Sequence, residues 1–194
     1  MLKDILISEV RVKILALLLV ESPTQSLHVR DIVRKVGTEI NAVRRELERL
    51  SKVGFVKRRP RGNKVFYDVN REFIYYPELV NLVAKEFGLG SELIKNTKNL
   101  GNITFAAMSR ALIGGRIAGQ NDVDLLIVGS IDANFLKEII KKYEELYKHE
   151  INYTVMGDDE FVFRKKRREP FIMQLLCQTR VMLIGNEEEF CSLL

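Results

Sequence analysis

The chain has 194 residues, 46% of them hydrophobic and 29% charged, which suits one large domain or two small ones with a buried core. Only 4 Pro and 12 Gly argue against a long disordered tract. The net charge of +5 is uneven: residues 1–70 hold 15 Lys+Arg against 8 Asp+Glu and residues 71–194 hold 16 against 18, so a polyanion partner is expected for the first half alone.

The spacing of Val10, Ile14, Leu17 and Leu18 predicts a helix from about Ile5 to Val20, stopped by Glu21-Ser22-Pro23. Its apolar run, Ile14 to Val20, is too short to cross a bilayer. No basic segment with a small-residue cleavage site opens the sequence, and a cytoplasmic protein without a membrane partner is expected. A second short helix begins near Leu27 or His28, carries Val29, Ile32, Val33 and Val36, and ends at Gly37. A third follows, with Thr38 or Asn41 as its cap, Ala42, Val43, Leu47 and Leu50 facing inward, and Gly54 closing it.

After Gly54 the period drops toward two. Residues 55–59 and 64–69 predict two strands, with Pro60-Arg61-Gly62-Asn63 as the turn between them, a hairpin with a basic tip. Residues 77–87 predict another helix before Gly88-Leu89-Gly90, and a short helix from Ser91 leads onward. The second half alternates strand and helix. Strands are expected at 102–108, 123–128, 151–156 and 180–184, with helices at 134–148 and 159–176, the latter interrupted at Pro170. This pattern predicts a small α/β domain with a mixed sheet, and so an α+β chain overall. The expected divisions are 1–74, a linker helix at 75–97, and 98–194.

Helix, short helix, glycine turn, longer helix and basic hairpin make a unit that fits double-stranded DNA. The third helix is expected in the major groove, with Thr38, Asn41, Arg44 and Arg45 in its first two turns near base edges. Arg58, Arg59, Arg61 and Lys64 at the hairpin tip would meet phosphates or a minor groove, with Arg30 and Arg34 as further phosphate contacts. Glu46 and Glu48 are expected to pair with neighbouring arginines along the helix. Residues 8–70, from Ser8-Glu9-Val10-Arg11-Val12-Lys13-Ile14-Leu15 through Gly54-Phe55-Val56 to the Tyr67 strand, resemble the winged helix-turn-helix of prokaryotic ArsR- and MarR-like transcriptional regulators. The resemblance implies a DNA-binding regulator that acts as a homodimer on near-palindromic sites. Metal sensing does not carry over. His28 and His149 are the only histidines, and no Cys-x-x-Cys exists; Cys177 and Cys191 are expected as core residues.

In the second half, Asn121-Asp122-Val123-Asp124-Leu125-Leu126-Ile127-Val128-Gly129 carries the chemistry. Carboxylates at i and i+2 of a strand share a face and can hold a divalent metal. Alternatively, Asp122 and Asp124 cap nearby amides in a strand-end loop or pair with Arg116. Residues 98–190 resemble the minimal nucleotidyltransferase family, whose pattern is Gly-Ser, then Asp-x-Asp, then a third carboxylate. The resemblance implies Asp122 and Asp124 as catalytic metal ligands for Mg²⁺ and Ser109 as a nucleotide-binding residue. Met108-Ser109 stands where Gly-Ser belongs, and Asn152, Tyr153 and Thr154 occupy the strand that should bear the third acid. Gly114, Gly115 and Gly119 offer a phosphate loop by another route. An inactive domain kept for dimerisation or ligand binding is therefore expected. The alternative is an active Mg²⁺-dependent transferase using a nucleoside triphosphate to modify a protein or small molecule. The basic run Lys165-Lys166-Arg167-Arg168 either widens a DNA footprint or forms a solvated face paired with Glu160 and Glu169.

Overall fold

The computed structural model describes residues 1–116, 119 and 122–193. It is a mixed α and β chain that divides into two compact units, Met1–Phe87 with Ile113–Gly115, and Gly88–Leu112 with the residues from Arg116 onward.

In the first unit, α1 (Leu2–Leu6) and α2 (Glu9–Ala16) replace the single helix expected from Ile5. Ile7 adopts a left-handed φ of 64°, and the Ser8 hydroxyl then accepts the Arg11 amide as a fresh N-cap. α2 runs on through a π-helical turn, Leu17–Glu21, in which the Ser22 amide reaches the Leu17 carbonyl. The apolar run Ile14–Val20 is buried on every side, as a helix apolar all round must be. A two-residue strand, β1 (Leu27–His28), precedes α3 (Val29–Val36), whose cap is the His28 ring accepting the Arg30 amide. Gly37 ends α3 at φ 67°.

α4 spans Ile40–Lys52. Its N-cap residue is Glu39, which makes no side-chain bond, so neither Thr38 nor Asn41 caps it. Val43 and Leu47 are fully buried, as are Ile14 of α2 and Ile32 of α3, the two helices on which α4 packs. The helix closes as a Schellman motif, the Gly54 amide on the Ser51 carbonyl and the Phe55 amide on that of Leu50. β2 (Val56–Arg61) and β3 (Lys64–Val69) form an antiparallel hairpin whose turn is only Gly62-Asn63, shorter than expected. Pro60 therefore sits in β2, which tolerates it as the edge of the order β1-β3-β2.

The stretch 75–97 is two helices. α5 (Tyr76–Glu86) packs on α1 and α2, and its Glu86 carboxylate takes the Met1 amino group and the Leu2 amide. Gly88, at φ 64°, breaks the helix, and α6 (Gly88–Lys95) belongs to the second unit.

There α7 (Thr97–Leu100), β4 (Gly101–Ser109), α8 (Arg110–Ile113), β5 (Leu125–Ile131), α9 (Ala133–Tyr147), β6 (Tyr153–Met156), α10 (Asp158–Lys166), α11 (Pro170–Cys177), β7 (Arg180–Ile184) and α12 (Glu187–Cys191) follow. The sheet order is β6-β5-β4-β7, with β5 and β6 parallel and the other pairs antiparallel, a mixed sheet. α9 supplies the crossover that the parallel pair requires. Leu126, Val128, Met156, Phe161, Ile172 and Phe190 form the core on one face. Gly129 is obligatory at φ 141°, where a Cβ would collide with the Asn102 carbonyl.

One buried charge organises the first unit. Glu46, 6% exposed, accepts the Arg11 Nε at 2.9 Å from α2 and the Arg49 Nη1 at 2.9 Å from α4. Burial alone would raise its carboxyl; the hydrogen bond and charge of Arg11, with the charge of Arg49, outweigh it and hold the group below the usual range. A carboxylate depressed in the folded state adds stability above its unfolded pKa, and that stability is lost as pH falls through the folded value. Removing Arg11 leaves Glu46 half-paired, so Arg11→Ala should cost about 2 kcal/mol at neutral pH. Arg49, with a side chain 65% exposed, should cost less. Hydrogen exchange of α4 amides reads both, and the Arg11→Ala penalty should fade once the pH lies below the folded value of Glu46.

Candidate functional site

α4 presents a polar ridge. At 100° per residue, Asn41, Arg44, Arg45, Glu48 and Lys52 fall on the side away from Val43, Leu47 and Leu50, and all five are exposed. Thr38 is half-buried just before the helix. Lys52 was not anticipated from sequence, although it lies one turn beyond Glu48 and pairs with it at 3.3 Å. Glu46 does not belong to this ridge; it is the buried partner of Arg11.

The hairpin register sorts its cations by face. Cross-strand partners share a side, so Arg58 lies with Tyr67, while Arg59 lies with Phe66 and Arg61 with Lys64 on the other side. Arg58 lines a groove of about 620 Å³ between the hairpin and α4, together with Arg44, Glu48, Lys52, His28 and Tyr67. On the opposite face the charges are partly spent. Arg59 pairs with Asp68 at 2.7 Å, Lys57 with Glu72 at 3.3 Å, and Arg61 lies 5.3 Å from the centre of the Phe66 ring. Among the described residues, Arg58, Lys64, Arg44 and Arg45 have no acidic partner. Of the two further arginines, Arg34 pairs with Asp31 at 3.0 Å and Arg30 is exposed.

The second unit arranges its named residues differently. Asp122 and Asp124 precede β5 instead of lying on it, and Asn121 falls outside the described residues. Asp122 Oδ2 accepts Arg116 Nη2 and the Gly119 amide, each at 3.1 Å. Asp124 is 2% exposed, and its Oδ2 accepts the Asn152 amide at 3.0 Å while its own amide reaches the Asn152 carbonyl at 2.7 Å. Burial pushes the Asp124 carboxyl up, against the Asn152 amide that lowers it. Ser109 is buried; its amide donates to the Asp124 carbonyl and its hydroxyl accepts Ala111 N–H and Gln178 Nε2. The cavity beside Ser109 and Met108 is about 20 Å³, space for a water and not for a phosphate.

These donors do not suit Mg²⁺. One carboxylate is engaged by a guanidinium and an amide, and the other is 2% exposed and bonded to the Asn152 amide. Among the described residues no three His, Cys, Asp or Glu side chains converge. A larger cavity of about 670 Å³ opens beside Asp122, Asn152, Tyr153, Thr154, Phe171 and Gln174, and among the described residues no lysine or arginine lines it to meet a triphosphate. The basic run on α10 is likewise divided. Lys165 is 3% exposed and its Nζ donates to the Glu189 and Phe190 carbonyls at the end of α12, so it cannot reach a polyanion; Arg164 pairs with both Glu160 and Glu169. Cys177 is exposed, where a core position was expected, and Cys191 is half-buried.

No helix among the described residues is long and apolar enough to cross a membrane. Neither a family model, nor a curated protein, nor a solved structure matches the chain.

The Asp124 arrangement has a pH signature. A carboxyl raised in the folded state favours folding below its unfolded pKa, and that contribution is lost as pH rises through the folded value. Asp124→Asn keeps an oxygen for the Asn152 amide and removes the buried charge. Thermal unfolding should therefore show the variant at least as stable as the parent at pH 8, with the advantage vanishing as the pH is lowered. A large loss at pH 8 would mean that the carboxylate charge itself is required.

Proposed function

We propose that the chain is a DNA-binding transcriptional regulator. In this reading the first unit is a winged helix-turn-helix. α3 and α4 form the helix-turn-helix, α4 enters the major groove, and the β2–β3 hairpin is the wing. The observation that carries the proposal is the α4 ridge beside a groove whose far wall bears Arg58, with Arg44, Arg45, Arg58 and Lys64 lacking acidic partners among the described residues. Arg44 and Arg58 line one groove, while Arg45 lies on the other flank of α4 and Lys64 on the other face of the hairpin; a polyanion offsets such unpaired positive charge. The net of +7 over residues 1–70 agrees with it.

The second unit is proposed as a nucleotidyltransferase-like domain without a working centre, retained for dimerisation or ligand binding. The engagement of Asp122 with Arg116 and the burial of Asp124 and Ser109 support an inactive domain. The regulator is proposed to act as a homodimer in the cytoplasm, since two-fold proteins match near-palindromic sites.

Fluorescence anisotropy with random-sequence duplex DNA at several salt concentrations tests the reading. Affinity should fall steeply with salt, and Arg58→Ala or Lys64→Ala should each flatten the log–log slope by about 0.9. Arg59→Ala should flatten it less, because Asp68 already neutralises that side chain. Absence of duplex binding at low salt would overturn the proposal.

A further inference from the structure

α4 has a second flank. Opposite the hairpin groove, a cleft of about 260 Å³ lies between the start of α2 and α4, lined by Ser8, Val10, Ala42, Arg45, Glu46 and Arg49. Its one carboxylate is already saturated by guanidinium groups: Glu46 Oε2 takes Arg11 Nε and Oε1 takes Arg49 Nη1, both at 2.9 Å. Arg45 is exposed and has no acidic partner among the described residues, and Arg49 uses a single nitrogen on Glu46 while its side chain stays 65% exposed. Two arginines thus bond one acid and a third lines the same cleft, so excess positive charge borders it.

Helix geometry gives this a consequence. Consecutive residues stand 100° apart, so Arg44 and Arg45 diverge to opposite flanks of α4. Arg44 lines the hairpin groove and Arg45 the α2 cleft. An α-helix about 10–12 Å across fills a major groove about 12 Å wide. Its central ridge then meets base edges and its two flanks meet the two phosphate backbones. We infer that the α2–α4 cleft receives a DNA backbone phosphate, gripped by Arg45 and Arg49, while Arg44 and Arg58 grip the opposite strand. Asn41, on the ridge between them, is left to read bases. The inference rests on the DNA-binding reading above, and it reassigns Arg44 and Arg45 from base contacts to backbone contacts.

A phosphate needs a positive charge and accepts lysine in place of arginine, whereas a guanine edge read by a guanidinium fork does not accept the exchange equally. The experiment compares the full-length parent with Arg45→Ala and Arg45→Lys. Each is titrated with random-sequence duplex across salt concentrations, and each is used to enrich a random duplex pool for sequencing. Arg45 is exposed, and circular dichroism checks that both variants fold as the parent does. Arg45→Ala should flatten the salt slope by about 0.9, an affinity loss of about eightfold at 0.1 M salt. The enriched sequences should match those of the parent, and Arg45→Lys should restore the slope. A changed enrichment that lysine does not restore would make Arg45 a base reader and overturn the inference. An unchanged slope in Arg45→Ala, with steep salt dependence in the parent, would also overturn it while leaving the DNA-binding reading standing. A parent that binds no duplex would overturn both.

Discussion

The carboxylate of Glu46 decides which way α4 faces. It is buried, and both its oxygens are held by guanidinium groups, one from α2 and one from α4 itself. A buried charge tolerates little rotation of its helix, because losing either partner exposes an unpaired ion to a poor solvent. With α4 pinned there, Val43 and Leu47 fall into the core and Asn41, Arg44, Arg45, Glu48 and Lys52 fall outward. The Schellman close at Gly54 then fixes where the chain leaves α4, and Asn70 ties the hairpin base back by bonding the Gly54 carbonyl. The groove that holds Arg44 and Arg58 follows from those constraints.

The second unit also buries charges, and it satisfies them mainly with backbone groups. Lys165 holds two carbonyls at the end of α12, and Arg180, with a side chain 8% exposed, donates to the Leu175 and Leu176 carbonyls at the end of α11. Helix C-termini present unsatisfied carbonyls and a partial negative charge, so a cation placed there offsets part of its desolvation. Burial lowers the Lys165 pKa, and the nearby Cys191 opposes the shift only in part. Asp124 does the converse with the Asn152 amide between β5 and β6. In each case a charged side chain stitches the ends of secondary elements together.

This explains which features were legible in the sequence. Period and punctuation located α3, α4, the hairpin, β4, β5, α9, β6 and β7, because Gly37, Gly54 and the alternation after it are local signals. The break at Ile7-Ser8 was missed because the apolar spacing continues across it, and only the Ser8 cap reveals it. Neither Thr38 nor Asn41 caps α4, although both are good capping types, since Glu39 takes the position. Asp122-Val123-Asp124 looks like a shared strand face, but β5 begins one residue later and Asp122 turns to Arg116 instead. The second of the two readings open from sequence, capping and pairing in a loop, describes that geometry. Burial was the least legible property. Lys165 sits in a charged run that reads as solvated, and the α12 carbonyls draw it inside; Glu46 pairs with Arg49 along its helix as expected, but its other partner, Arg11 of α2, is tertiary and not visible in the local pattern.

The same distinction bears on function. A charge can act on an external partner only if the fold has not already spent it. In the second unit, Asp122, Asp124, Lys165 and Arg180 are all engaged internally, which is what the proposal of an inactive domain draws on. In the first unit the balance is reversed: Glu46 is consumed, and the arginines it leaves partly free, with Arg44, Arg45 and Arg58, face solvent around α4. Glu48 is taken by Lys52 and Asp68 by Arg59, so neither of these acids cancels them. The proposed DNA-binding reading draws on this surface, with cations on both flanks of one exposed helix, because a duplex carries a phosphate strand on each side of its major groove.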